Sequence, residues 1–431
     1  MIELARLDHC FWTHSAAAAP PTTMLEQAVE TRVAIVGAGF SGLSTALHLA
    51  ERGIPCVVLE AGEIGGGASG RNNGQVIPTL SRPDPSAMIA RFGKERGERF
   101  VSLVRDSAQI LFDIVRRYDI ACDAEQNGWI QPSHSPGRFK AVSEKRYREW
   151  GERGAPVELL DRQQTSELLG SNAWHGAWLN RSGGHINPLG FSRGLAGAAI
   201  GRGAKIFTGS PATAIAQLPD GRWRLRTPRG SVTVERVVIA NAYSDDLWPG
   251  LKRTVVPVYS FQMATRPISA NVRATMIAGR QAMSDTHGDL HFCRYTADHR
   301  LVTGGAMFWR GNLEHRLKAR IGARLERLFP QIGPVSFDYV WAGYVGMTTD
   351  YFPRLHSLAD GVASWIGCNG RGVALGTAMG GELAKWAAGE APIDELALPL
   401  SPLQPIFLHS LAQIAARGMI LVYRRRDARE V

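Results

Sequence analysis

The sequence predicts two parts: a discontinuous α/β domain with a doubly wound parallel sheet, and an α+β domain built on an antiparallel sheet. Three observations carry this. Residues 32 to 62 read as a complete βαβ unit around Gly37, Gly39 and Gly42. Residues 369 to 373 form a second glycine-rich turn ahead of a helix, and residues 251 to 339 alternate as antiparallel strands do. At 431 residues the chain is too long for one ordinary core, and about two domains or one discontinuous pair is the expectation. Hydrophobic content of 45% and charged content of 20% are globular values.

In the βαβ unit each residue type has a physical task. An apolar strand, Val33 to Val36, runs into glycines in G-x-G-x-x-G spacing, and a helix opening with Phe40 and Ser41 continues to Glu51. Gly37 permits the tight turn, Gly39 lets main chain approach a pyrophosphate, and Gly42 lets the helix pack on the strand. The polarised helix start attracts phosphate. The second strand, Val57 to Leu59, ends on Glu60, followed by Ala61 and Gly62. An acid there can accept both ribose hydroxyl protons and would repel a 2′-phosphate, so the pattern fits a dinucleotide other than NADP.

Residues 1 to 30 read as an extended arm with Ala/Pro punctuation. After the βαβ unit, residues 65 to 75 are too glycine-rich for regular structure and suit main chain passing close to a flat or charged group. An amphipathic helix is expected over residues 94 to 118. A mostly charged, solvent-facing helix is expected over 138 to 153, framed by strands near 128 to 131 and 157 to 160. Asn187-Pro188 starts a helix to about residue 200. Strands follow at 204 to 215, 222 to 235 and 237 to 240, the last apolar and ending in Ala240, Asn241, Ala242 and Tyr243, a small-residue turn of the kind that meets ligands in doubly wound sheets. Residues 316 to 328 form a charged helix over the antiparallel strands. Residues 340 to 347 and 363 to 367 are strands, and 374 to 388 a small-residue helix behind the second glycine turn, whose polarised start could neutralise charge on a bound ring. The tail from Pro405 to Tyr423 reads as an amphipathic helix ending in Arg424, Arg425 and Arg426.

The net charge of +10 comes mostly from scattered arginines, which suits compositional bias and no nucleic-acid partner. Five cysteines, odd in number and far apart, show no C-x-x-C or Cys/His metal spacing, so free thiols, a reducing compartment and no metal are expected. Glu3 and Asp8 stand where a signal peptide would be positive, and no stretch has the length and purity of a membrane span. A cytoplasmic protein is the expectation.

Two phosphate-grade glycine turns, an acid after the first and an interrupted first domain exceed what a nicotinamide dehydrogenase needs, and the pattern suggests FAD. The α/β part is therefore expected to be a Rossmann-like, glutathione-reductase-like FAD domain over residues 31–90, 155–250 and 340–398. The substrate domain takes 91–154 and 251–339, and 399–431 form the C-terminal helix and basic tail. Across roughly residues 10 to 425 the chain resembles the D-amino-acid oxidase (DAO) superfamily of FAD-dependent amine oxidoreductases, within it bacterial gamma-glutamylputrescine oxidase and L-pipecolate oxidase-like proteins. The likeness rests on the Trp12-containing arm, Gly67 to Gly74, Asn241-Ala242-Tyr243 and Asn369 to Gly372.

The resemblance implies noncovalent FAD, because the strand 341 to 347 lacks the cysteine by which sarcosine oxidases anchor flavin. It places the pyrophosphate at Gly37, Gly39, Phe40, Ser41 and Gly42 and the ribose at Glu60, Ala61 and Gly62. Ser69, Gly70, Arg71, Asn72, Asn73, Gly74 and Gln75 would lie beside the isoalloxazine. Ala212 would lie at the adenine, with Ala240, Asn241 and Ala242 close by, and Asn369, Gly370, Arg371, Gly372 and Val373 at the flavin's pyrimidine end. It also implies hydride removal from the carbon next to an uncharged amine and hydrolysis of the resulting imine, with a small amine or amino-acid substrate and oxygen or an electron carrier as partners. The carboxylate-binding arginine of glycine-oxidase-like relatives is replaced on that strand by Gly343, Tyr344, Val345 and Gly346, so Arg371 could meet a carboxylate instead, or the amine could carry none. Gln262, Tyr344 and Arg371 are the expected catalytic residues, with Tyr259 and Trp341 as weaker candidates and His291 as a structural histidine. The rival readings are a quinone-linked dehydrogenase touching a membrane surface through the C-terminal helix, and a flavin-binding subunit without turnover.

Overall fold

The structure is a computed structural model that describes residues 7–241, 246–289, 291–305 and 313–430. In chain order its main elements are β1 (Val33–Val36), α1 (Phe40–Glu51), β2 (Cys56–Leu59), α2 (Lys94–Arg117), β3 (Trp129–Pro132), β4 (Val157–Leu160), β5 (Ala177–Asn180), α3 (Pro188–Gly201), β6 (Lys205–Phe207), β7 (Arg236–Ile239), β8 (Val256–Thr265), β9 (Ala282–Ser284), β10 (Phe292–Tyr295), β11 (Leu301–Gly305), α4 (Leu313–Leu328), β12 (Phe337–Met347), β13 (Arg354–Ala359), β14 (Val362–Ile366), α5 (Gly372–Ala388) and α6 (His409–Asp427).

The first sheet has the order β13-β14-β7-β1-β2-β6. It is parallel from β14 to β6, with β13 reversed. Its central strands β1 and β2 are apolar and fully buried because both faces are covered. Val33, Ile35, Val58 and Ala363 join a core with α1, α2, α3 and α5. Ala34, Val36, Val57 and Val237 pack on the other side against a four-stranded sheet of Ala28–Glu30, Ser231–Val234, Trp223–Arg226 and Ala214–Gln217. Small residues let α1 and α5 lie close together. A Cβ on Gly376 would come within 3.2 Å of Ser41 Oγ, and one on Gly380 would strike Ser44. Trp365 Nε1 donates to Ser41 Oγ at 2.7 Å across the same contact.

The second sheet runs β12-β8-β11-β10-β9-β3-β5-β4, antiparallel except between β9 and β3. One face buries Phe261, Met263 and Tyr295 against Leu317, Ile321 and Leu325 of α4. Its membership departs from the sequence-based division. Strands β4 and β5, expected in the first part, pair here, as does β12, which runs beside β8 from Val256↔Met347 to Thr265↔Phe337. Helix α2, expected in the second part, turns Phe100, Val104, Ala108 and Leu111 into the core of the first sheet. Residues 138 to 153 also depart from expectation, since Arg146, Glu149 and Trp150 are buried. Their charges are paired internally: Arg146 donates to Asp84 at 2.8 Å and Gln131 at 2.9 Å, and Glu149 accepts from Ser86.

The C-terminal helix docks at both ends, His409 Nε2 lying 2.7 Å from Val255 O at its start. Tyr423 hydroxyl lies 2.8 Å from that of Tyr351, Asp427 accepts from Gly288 N at 2.8 Å, and Glu430 accepts from Arg138 at 2.6 and 2.7 Å. Phe407 and Leu408 just before the helix, and Leu411, Ile414, Leu421 and Val422 along it, are exposed. Among the described residues no helix is long and apolar enough to cross a membrane.

Candidate active site

The first glycine turn is closed by contacts that admit no side chain. Gly37 N donates to Leu59 O at 2.8 Å. Gly37 has φ +106°, and a Cβ on it would sit 3.1 Å from the Ala240 carbonyl and Asn241 N, while one on Gly42 would strike the Gly37 carbonyl oxygen. Gly39 caps α1 without a side chain. Ser69 reaches the same helix start from the glycine-rich loop, its Oγ accepting from Phe40 N at 3.0 Å. Glu60 is fixed at both oxygens, accepting from Ala38 N at 2.7 Å and from Gly62 N at 2.8 Å across Ala61. Ser210 N donates to Glu60 O at 2.8 Å, which brings the segment with Ala212 alongside. Ala242 lies outside the described residues.

The 69–75 loop is held mainly through its carbonyls. Within it, Asn72 Oδ1 accepts from Gly74 N at 2.7 Å and Asn73 Oδ1 from Gln75 N at 3.0 Å, turns that asparagine forms readily. Gly70 and Gly74 have no room for a Cβ, which would meet the carbonyls of Gly65 and Ile186. Three distant side chains grip the loop: Trp12 Nε1 donates to Asn72 O at 2.8 Å, Trp341 Nε1 to Arg71 O at 2.8 Å, and Arg294 Nε to Asn73 O at 2.7 Å. Arg294 also donates to Ile186 O at 2.7 Å and Tyr295 O at 3.0 Å and stacks over Trp12. Burial pushes its pKa down to about 9. Gln75 is anchored to the second sheet, donating to Met283 O at 2.9 Å and accepting from Trp129 Nε1 at 3.1 Å and Ser284 Oγ at 2.7 Å.

The second glycine turn faces this loop from β14. Asn369, at φ +51°, accepts from Thr348 N at 2.8 Å and donates to Gly367 O at 2.7 Å, tying the turn to the end of β12. A Cβ on Gly370 would stand 3.8 Å from Val345. Helix α5 then starts at Gly372 and Val373, with Arg371 as an N-cap whose side chain makes no cap bond. Its guanidinium lies 5.4 Å from the Trp129 ring centroid. Enclosure by protein, and secondarily the Arg146 cation, push its pKa down to about 9. Among the described residues no carboxylate pairs with Arg371, and its Nε has no hydrogen-bond partner.

The β8–β12 register decides which side chains look toward these turns. Gly343 stands over Arg71, with 3.5 Å from a Gly343 Cβ to Arg71 Cβ, and Trp341 bonds Arg71 O. Trp341, Gly343 and Val345 therefore face the loop, together with their partners Gln262, Ser260 and Val258. Gln262 is buried, donates to Ser260 Oγ at 2.9 Å, and has an Oε1 without a partner among the described residues. Tyr344 alternates to the other face, where its ring lies 4.1 Å from that of Tyr259 and its hydroxyl donates to the Tyr259 hydroxyl. Strand alternation thus turns Tyr344, expected from the sequence at the reacting centre, away from the 69–75 loop. The sequence reading gave no role to Arg294 or Ser260. The available signal for Arg294 was a lone cation inside an apolar strand.

Comparison with known proteins bears on the family and the fold. The DAO profile, described as FAD dependent oxidoreductase, matches residues 32–386. Gamma-glutamylputrescine oxidoreductase of Escherichia coli (strain K12) is 31% identical over 384 residues, covering 88% of this chain and 89% of its own. Among solved structures, glycine oxidase from Geobacillus kaustophilus superposes with TM-score 0.70 at 21% identity, covering 88% of this chain and 99% of that one. L-Amino acid deaminase from Proteus myxofaciens, solved with anthranilate, gives 0.72 at 19% identity, covering 87% and 94%. These two show the shared fold.

Proposed function

The chain belongs to the DAO family of FAD-dependent oxidoreductases, and from that premise we propose that it oxidises the carbon beside an uncharged amine in a substrate that also carries a carboxylate. The imine formed is split by water to a carbonyl compound and an amine, a reaction of the gamma-glutamylputrescine oxidase-like class. FAD, when bound, supplies the hydride acceptor at N5 of its ring. The residues present suit it. The Gly37 turn and the start of α1 fit a pyrophosphate, Glu60 a ribose, the 69–75 loop a ring edge, and the start of α5 a ring that gains negative charge.

The observation that carries the substrate reading is Arg371, an enclosed cation with no carboxylate among the described residues. An anionic substrate group would supply the missing partner, and a guanidinium can bind it through two parallel hydrogen bonds. Gln262 Oε1 would accept an N–H from the amine and so turn its carbon toward the loop. Trp341 and Trp129 border the space and keep it dry. Oxygen serves as electron acceptor in this reading. The test is Arg371→Met assayed on an acidic amine and on its neutral amide. KM for the acid rises by about two orders of magnitude while the amide changes little, as expected for loss of a charge-assisted pair. Equal losses on both substrates would refute the carboxylate role.

A second reading, a quinone-linked dehydrogenase at a membrane surface, is favoured by one observation. The exposed stripe of Phe407, Leu411, Ile414, Leu421 and Val422 ends beside Arg425 on α6. Sedimentation with anionic vesicles and quinone reduction without peroxide release would establish it. If no amine bleaches the flavin anaerobically, both catalytic readings fall.

A further inference from the structure

Away from the flavin turns, the hairpin between β9 and β10 brings Asp285, His287 and His291 together, their ligand atoms all within 4.8 Å of one another. Asp285 Oδ2 lies 2.8 Å from His287 Nδ1 and 3.3 Å from His291 Nδ1. Bonds of about 2.0–2.2 Å to a tetrahedral ion leave neighbouring ligand atoms roughly 3.3 Å apart, and narrower angles bring them closer. The observed separations therefore suit a coordination shell as well as hydrogen bonds. A second observation distinguishes the two. His291 is only 8% exposed, and its Nδ1, directed at the carboxylate, has no aligned hydrogen-bond partner among the described residues.

The surroundings are those of a held ligand set. The His287 N–H donates to Asp285 Oδ1 at 2.9 Å and Trp174 Nε1 to Oδ2 at 3.4 Å, fixing the carboxylate. The His287 and His291 rings lie 4.1 Å apart, so both Nδ1 atoms approach from one side. The nearby cation Arg324 donates from Nη2 to Thr303 Oγ1 at 3.1 Å and Gly304 O at 2.7 Å, while its Nε and Nη1 have no hydrogen-bond partner among the described residues. The His287 side chain is 23% exposed and gives an ion a route in.

We propose that Asp285, His287 and His291 form a binding site for a divalent late first-row metal ion of zinc-like chemistry, with a remaining position taken by water. No metal is expected from the sequence alone, because the three residues converge only when the hairpin closes. The site is independent of the proposed oxidation. It sets the seat of the C-terminal helix, since Gly288 N donates to Asp427 Oδ2 at 2.8 Å and His134, stacked on His287 at 4.0 Å, faces Glu430 at 3.3 Å.

The experiment uses the full-length flavin-loaded protein, stripped with a chelator and then titrated with Zn2+ by calorimetry and with Co2+ by visible absorption. Wild type binds one Zn2+ per chain and gives Co2+ ligand-field bands. His287→Gln and Asp285→Asn weaken binding by roughly tenfold or more, with the flavin spectrum reporting that each variant is folded. His134→Gln, beside the site but outside the ligand set, binds as wild type does. Absence of Zn2+ binding and Co2+ bands in wild type overturns the proposal. So does loss on His134→Gln with retention on His287→Gln, which would move the ion to the neighbouring His134, Asp427 and Glu430 group.

Discussion

Arg294 offers the sharpest test of how the flavin loop is held. Arg294→Met keeps the aliphatic length and removes the donors to the carbonyls of Asn73, Ile186 and Tyr295. A buried carbonyl left without a partner costs about 1–3 kcal/mol, so three cost about 3–9 kcal/mol as an upper limit. Removing a cation whose burial already pushes its pKa down to about 9 offsets part of this, because a desolvated charge no longer opposes folding. A net loss of about 2–4 kcal/mol remains. Two of the three carbonyls flank Gly74 and its neighbour Ile186, so the loss falls on the loop. If all of it appears in binding, the FAD dissociation constant rises about 30- to 700-fold at 1.4 kcal/mol per factor of ten. Fluorescence titration of the stripped protein with FAD measures that constant, and thermal unfolding measures the remainder. A variant that binds FAD within about threefold of wild type and unfolds at the same temperature would refute the reasoning.

Three further outcomes are expected. Gly74→Ala, at φ +76° with its Cβ directed into the Ile186 carbonyl, abolishes flavin retention on gel filtration while far-UV circular dichroism stays native; a yellow, fully loaded variant contradicts it. Trp12→Phe keeps the ring packing but loses the bond to Asn72 O, at a cost of about 1 kcal/mol. It speeds flavin release about fivefold, readable by stopped-flow trapping of the free cofactor. The third concerns pH. His185 is fully buried, and desolvation first, then Arg294, hold its pKa well below the usual value, with Nε2 facing the Arg280 carbonyl at 3.1 Å. The folded chain keeps it neutral while the unfolded chain takes a proton below about 6.5, so stability falls as pH drops through that value and is untouched above it. His185→Gln flattens this acid slope in urea titrations from pH 7.5 to 5.5, and an unchanged slope assigns the effect to the other histidines that burial shifts the same way, His48, His134, His291 and His356.

The βαβ unit was legible because its contacts are local. Gly42 meets Gly37, Glu60 meets Ala38 and Gly62, and Gly37 N meets Leu59 O, all within about one crossover, and the spacing of such residues encodes the turn; only the close approach of Gly37 to Ala240 and Asn241 is long-range. The Asn369 turn was legible for the same reason. Sheet membership was not. Strands β4, β5 and β12 carry apolar patterns that fit either sheet, and only hydrogen-bond partners far along the chain decide. The face of Tyr344 depended on that same register. Residues 138 to 153 looked solvent-facing because Arg146 and Glu149 are charged, and their partners Asp84 and Ser86 sit about sixty residues earlier. Arg294 is marked in the sequence only as a lone cation in an apolar strand, because its partners are main-chain carbonyls far along the chain.

The grip on Arg71, Asn72 and Asn73 has a temporal side. Trp12 leaves the ribosome well before Trp341, yet both must be present before the intervening loop has its shape. The nascent polypeptide can fold its early crossover while synthesis continues, but cannot finish the pocket wall until β12 emerges. Cofactor capture therefore waits for β12, and cutting the gene between α4 and β12 yields fragments that are colourless until recombined.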